Sequence, residues 1–206
     1  MEPALPLLPL KATTLHTIVI HLGAAENGTL PIACGRAIHA QVLDWFRMAS
    51  PELSEAIHKS QESPLSLSGL VGKRHKAGVR TGDEFYFRIG LLDGSLIDPL
   101  LSGLEKWGDK PFSLAKFPFV FRSINMLPGT DPWVGSSAYD LLAKTPATLD
   151  ALTLKFLSPT SFKLNTGQGI QPFPLPESVF GSLYRRWNAF APESLQFPKV
   201  QWSGLV

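Results

Sequence analysis

Apolar positions recur along this chain with two periods, and the switches between them mark out its elements. Residues 15–22 (LHTIVIHL) are β-branched and apolar and predict a first strand, closed by the loop Glu26-Asn27-Gly28. Ile38, His39, Val42, Trp45 and Phe46 then fall at helical spacing within residues 36–48. Ser50-Pro51 restarts a short helix over 51–58, because Ser50 can cap and Pro51 suits the first helical position. Residues 64–70 read as a short strand. Residues 84–92 alternate, with Phe85, Phe87, Ile89 and Leu91 on one face and Tyr86 and Arg88 on the other, as in a half-buried strand. Asp93-Gly94 turns into a helix over 95–107, and 111–125 holds a further strand. The order β-α-β-β-α-β is the ferredoxin-like arrangement, in which two helices cover one face of the sheet and leave the other free.

Residues 126–133 (MLPGTDPW) are turn chemistry and read as a linker, followed by a helical stretch at 139–144. Leu152, Leu154 and Phe156 share a parity, which predicts a strand over 147–158. A hairpin or loop over 159–169 and a proline-rich stretch at 171–176 lead to an amphipathic helix at 177–190, with Val179, Phe180, Leu183 and Trp187 on its apolar stripe. The expected class is α+β with tandem ferredoxin-like (RRM-like) domains. The first spans 1–125, a linker and short helix span 126–146, and the start of a second, incomplete domain spans 147–206.

Composition narrows the class without naming a function. The 206 residues are 44% hydrophobic and 17% charged, which suits a folded chain. A net charge of +2 does not by itself announce a polyanion partner, so the position of the cations matters. The single cysteine, Cys34, excludes an internal disulfide and fits a reducing, cytoplasmic setting, where it reads as a plain buried residue. No run of about 18 apolar residues predicts a membrane span. The apolar first ten residues lack the cationic start of a signal peptide and read as a tail. His16 and His21 differ by five positions on one strand and so face opposite ways, which prevents shared ligation of a metal. There is no Walker loop, nucleophile elbow or dinucleotide fingerprint, and no metal or cofactor is expected.

Five segments, in order, resemble the CRISPR-associated repeat-processing endoribonucleases (the Cas-six family). They are PELSEAIHK at 51–59, SPLSLSGLVG at 63–72, DPWVGSSAYDLL at 131–142, KFLSPTSFK at 155–163 and PLPESVFGSLYRRWNAFAP at 174–192. The family's glycine-rich loop near its C-terminus has no counterpart before Val206, so relative to the family the chain reads as truncated. The resemblance implies metal-independent cleavage of CRISPR repeat RNA, with attack by the ribose 2′-hydroxyl and a 2′,3′-cyclic phosphate product. It implies the repeat RNA as partner, and other subunits of a CRISPR effector complex as further partners. Such chemistry needs a base, an acid and a cation for the charged phosphorane.

By that resemblance His58 is the first catalytic candidate, and Lys59 beside it would face the phosphate. The plain alternative is a surface histidine that ends a helix. His39 is the second candidate, since some relatives carry a catalytic group on the first helix; its alternative is a histidine turned partly into the core. Residues 72–82 (GKRHKAGVRTG) hold the densest basic patch, with Lys73, Arg74, His75, Lys76 and Arg80 between glycines. It reads as an arm along phosphates or as a solvated loop. Arg36, Lys163, Arg185 and Arg186 complete the candidate RNA contacts. Phe162, Tyr86 and Trp133 are candidates for stacking on bases, or else core residues. Two rival readings stay open: a non-catalytic RNA-binding subunit, and a ferredoxin-like module that binds protein.

Overall fold

A computed structural model of the chain describes residues 13–76, 78–146, 152–156, 162–163 and 169–200. The chain divides into two compact units, Met1–Ala138 and Tyr139–Val206.

The N-terminal unit is built on β1 (Thr14–Ala24). Helices α1 (Gly35–Ala49) and α2 (Pro51–Lys59) follow, then the short strands β2 (Leu65–Leu67) and β3 (Val71–Gly72) and the long strand β4 (Glu84–Leu91). A 3-10 turn at Gly94–Leu96 leads into α3 (Ile97–Trp107), and β5 (Phe112–Leu114), β6 (Phe117–Asn125) and β7 (Gly135–Ala138) complete the unit. The sheet order β2-β4-β1-β6-β5 contains the ferredoxin-like arrangement, and every pairing is antiparallel. The element order read from the sequence is therefore the observed one.

Three details differ from the sequence reading. The strand expected at 64–70 is shortened to β2, which ends where Ser68 turns its side chain onto the ladder and its Oγ accepts from Arg88 N at 2.9 Å; β3 is a separate strand beyond Leu70. The strand expected at 111–125 is a hairpin of β5 and β6. Within the segment read as a linker, β7 pairs with Thr14–Thr17 of β1, on the edge that β6 takes further along.

The core forms between one sheet face and the helices. Ile18, Ile20 and Leu22 of β1 and Phe85, Phe87, Ile89 and Leu91 of β4 are buried against Ile38, Val42, Trp45 and Phe46 of α1. Each such side chain contributes roughly 1.5–3 kcal/mol on burial. Trp45 stacks on Phe87 with ring centroids 6.2 Å apart and meets Phe112 edge-on at 5.7 Å. Helix α3 reaches α1 at Gly103, where a Cβ would collide with the carbonyl oxygen of Trp45. The two helices can approach this closely only because that residue has no side chain. Ser50 caps α2 as its sequence suggests, with Leu53 N donating to Ser50 Oγ at 3.1 Å.

The C-terminal unit contains α4 (Tyr139–Ala143), the paired strands β8 (Phe162–Lys163) and β9 (Ile170–Gln171), α5 (Pro176–Phe190) and a 3-10 turn at Glu193–Leu195. Trp187 anchors it, meeting Tyr139 edge-on at 5.2 Å and donating from Nε1 to Leu195 O at 2.7 Å. Of the strand expected at 147–158, residues 152–156 carry no ladder pairing, and Leu152, Leu154 and Phe156 are exposed; its other residues lie outside the described ones. On α5, Val179 is buried but Leu183 is 56% exposed, so the predicted apolar stripe is only partly covered. The loop expected at 159–169 also lies largely outside the described residues.

Replacing Gly103 with Ala is expected to lower unfolding stability by about 2 kcal/mol or more, because neither helix backbone can give way. Chemical denaturation with unchanged m-value would measure it, and a wild-type midpoint would show that the helices separate without cost. At the β5–β6 turn, Ala115 and Lys116 both have positive φ, 51° and 72°. Lys116→Gly is expected to raise stability by roughly 0.5–1 kcal/mol in the same assay.

Candidate RNA-binding site

The basic loop over residues 72–82 is not a loose arm. It is tied at several points to the segment that leads into α1. Gly28 and Val79 exchange backbone hydrogen bonds at 2.9 and 2.7 Å, Thr81 N donates to Asn27 Oδ1 at 2.8 Å, and Arg74 Nη1 donates to Pro31 O at 3.1 Å. Its far end is fixed to the sheet, where Gly82 N donates to Ala24 O at 2.8 Å. Asp83 braces it from within: its Oδ2 accepts from Arg80 N at 2.8 Å and lies 3.6 Å from His75 Nε2. Lys73, Arg74, Lys76 and Arg80 stay exposed around this frame.

The loop thus lies against the start of α1. That end carries no side-chain cap and no acidic residue in its first turn, so the positive pole of the helix is unopposed. Arg36 is exposed in the first turn, and half-buried His39 follows it three residues on, so the two are neighbours on the helix surface. Burial pushes the Cys34 thiol up, against a smaller lowering by Arg74. The protonated, buried thiol therefore stays a poor nucleophile at neutral pH.

His58 and Lys59 stand elsewhere. Both are exposed in the last turn of α2. Lys59 Nζ is 2.8 Å from Glu55 Oε1, which holds the lysine above its usual range and the carboxyl below its own. Glu55 also feels Arg47 of α1, so this part of α2 lies alongside the far end of α1. His39 and Arg47 are eight residues apart on one helix, about 12 Å along its axis. The structure gathers Arg36, Arg74 and the rest of the basic loop at one end of α1 with His39 next to them. It leaves His58 and Lys59 in a second cluster.

Of the remaining candidates, Arg185 is exposed and Arg186 half-buried on α5, while Lys163 lies in β8, paired with Ile170. Tyr86 and Trp133 belong to the N-terminal unit, Tyr86 half-buried on β4 and Trp133 41% exposed. Phe162 lies in β8 opposite Gln171. Sequence reasoning missed Asn27 and Asp83, which hold the loop in place; the only local signals were an Asx residue in a turn and an acid just after the basic run.

Comparison with known proteins finds one family. The family model for CRISPR-associated endoribonuclease Cas6 matches residues 154–206. The solved structure of Cas6 (TTHA0078) in a product complex is 29% identical, with a TM-score of 0.64, over 90% of this chain and 67% of that one. This chain is similar to the Cas6 family. Thermus thermophilus Cas6 (TTHB231), also solved as a product complex, is 23% identical over 92% of this chain and 68% of that one, at a TM-score of 0.68. A Cas6-related protein from Pyrococcus furiosus shares the fold at 15% identity and a TM-score of 0.57, over 87% of this chain and 73% of that one. The chain therefore spans about two thirds to three quarters of the length of these Cas6 structures. No curated protein matches it. The match to these structures also bears out the tandem ferredoxin-like class.

Removing the brace with Asp83→Ala is expected to speed tryptic cleavage at Lys73, Arg74, Lys76 or Arg80 about fivefold or more, the equivalent of ~1 kcal/mol of easier local opening. Equal cleavage rates for the two proteins would show that the carboxylate does not hold the loop.

Proposed function

We propose that this chain acts as a Cas6-type endoribonuclease that binds CRISPR precursor RNA and cuts it once within the repeat, without a metal ion, to release guide RNA. The ribose 2′-hydroxyl attacks the adjacent phosphate, the 5′-oxygen leaves, and the products are a 2′,3′-cyclic phosphate and a free 5′-hydroxyl. The observation that carries this reading is the meeting of the anchored basic loop with the uncapped start of α1, next to His39. The loop cations and the helix pole attract a phosphate. An imidazole beside that phosphate can take the 2′-hydroxyl proton or supply one to the leaving oxygen. Arg36 or Arg74 offsets the charge of the phosphorane.

The comparisons support RNA as the partner. Cas6 (TTHA0078) has been solved as a substrate-mimic complex and as a histidine-to-alanine mutant, each 28% identical to this chain. A further protein of the same fold, 14% identical, is described as binding different RNA substrates. Between the two histidine candidates, the geometry favours His39, because His58 has Lys59 as its neighbouring cation and that lysine is engaged by Glu55. Other subunits of a CRISPR effector complex remain proposed partners, as does a cytoplasmic setting.

Incubation with the labelled host repeat RNA in EDTA is expected to give one cut with a cyclic phosphate end. His39→Ala is expected to slow single-turnover cutting by about 10²–10⁴ with RNA affinity unchanged. Loss of cutting in His58→Ala, with His39→Ala active, would move the centre to the end of α2. Binding by the unaltered protein without any cut would favour the non-catalytic RNA-binding subunit. Changing Lys73, Arg74, Lys76 and Arg80 together to Gln is expected to reduce the slope of log affinity against log salt by up to about 3.

A further inference from the structure

We propose that Ile32 is a wedge that lifts one of the two bases flanking the cut out of its stack, and so brings the 2′-hydroxyl into line with the bond that breaks. The proposal rests on the reading that the basic loop and the start of α1 hold the phosphate to be cut. It adds a positioning residue that carries no charge and moves no proton.

Ile32 projects from the molecule. It is 93% exposed, against 67% for Leu127, the next most exposed large apolar residue described in the N-terminal unit. A single exposed aliphatic side chain is ordinary on a protein surface. What sets Ile32 apart is the backbone under it. Leu30 and Cys34 are both buried in the core, so the chain between them is pinned at each end and forms a short exposed arch over residues 31–33. Within the arch Pro31 O accepts from Arg74 Nη1 at 3.1 Å and from Cys34 Sγ at 3.5 Å. Cys34 O accepts in turn from Ile38 N at 2.9 Å, the first hydrogen bond of α1. The branched Cβ leaves Ile32 few side-chain rotamers. An apolar knob on a braced backbone loses little freedom when a ligand packs on it.

The neighbouring residues select the ligand. Arg74 is bonded to residue 31 and Arg36 follows four residues after Ile32, both exposed, at the end of α1 that has no side-chain cap and no acid in its first turn. A phosphate drawn to these cations carries a ribose and a base on each side. An aliphatic side chain standing among them along the chain therefore meets the sugar and base of the same strand.

Isoleucine is among the side chains that proteins insert between base steps, where they unstack the step at a cost of a few kcal/mol. Unstacking has a use in this reaction. The attacking 2′-oxygen, the phosphorus and the departing 5′-oxygen must stand roughly in line. Continuous base stacking holds the two nucleotides in a helical arrangement in which they do not. Separating the bases lets the backbone turn at the phosphate. Ile32 takes no part in the bond changes: the 2′-oxygen bonds to phosphorus, the 5′-oxygen leaves with the electron pair, and the protons pass through the acid and base.

The test uses the full chain and two forms of the host repeat RNA. Each carries 2-aminopurine in place of one base flanking the mapped cut, and a 2′-deoxyribose before the cut, so that binding is seen without cleavage. 2-Aminopurine brightens when it leaves a stack. One of the two RNAs is expected to brighten severalfold on the unaltered protein, to lose most of that rise with Ile32→Ala and to keep it with Ile32→Leu. Single-turnover cutting of the ordinary repeat is expected to slow about 10–100-fold in Ile32→Ala, with affinity changed by less than about threefold. The rate is expected to recover on a repeat with an abasic residue at the flanking position, where no base has to be unstacked; a purely structural role gives no such recovery. Ile32 packs on almost nothing, so Ile32→Ala is expected to unfold at the wild-type temperature. Leu127→Ala is the control, expected to cut and brighten like the unaltered protein. Equal brightening and equal cutting by Ile32→Ala and the unaltered protein overturn the wedge and leave the nuclease standing. No cutting by the unaltered protein overturns the nuclease, and the wedge with it.

Discussion

The N-terminal unit depends on keeping β1 paired along both edges. A strand buried in the middle of a sheet must pass every N–H and C=O to a neighbour, since no water reaches it. β4 takes one edge of β1, while β7 and β6 share the other in sequence. With its backbone satisfied, β1 can put Ile18, Ile20 and Leu22 into the core and His21 on the opposite face. The helices then pack on the apolar side, at a distance set by the contact of Gly103 with Trp45. The last residues of β1 fix the basic loop through Ala24 O.

Charge in this protein is a matter of position. A net charge of +2 is small, yet the cations are concentrated where backbone dipoles reinforce them. Arg36 and Arg74 sit at the N-terminal pole of α1, where no carboxylate offsets the free N–H groups. At the other end Lys59 has already been matched by Glu55. Two histidines of equal chemistry thus meet different fields: His39 lies by cations that have no carboxylate partner among the described residues, His58 by a cation paired with Glu55.

Much of this was legible along the chain. The alternation of Phe85, Phe87, Ile89 and Leu91 identifies β4 and both of its faces, and Ser50-Pro51 marks the break between α1 and α2. These signals are local, carried by periods of two and 3.6 residues and by a cap within one turn. The short strand β7 was not legible: Gly135–Ala138 has no apolar alternation, and it is a strand because β1 offers an unpaired edge there. The opposite failure occurs at Leu152, Leu154 and Phe156, whose alternation is clear but which find no partner strand among the described residues.

The sequence by itself determined which residue types exist, their parity on each strand and their order, and with these the ferredoxin-like class and the resemblance to Cas6. Only the tertiary structure decided which of them meet. Arg74 reaches Pro31 and Thr81 reaches Asn27 across dozens of intervening residues, and Trp133 returns to cover Arg88. Such contacts have no period. They follow from how the pairing of β1 and β4 brings distant loops to the same end of one sheet, which no local pattern encodes.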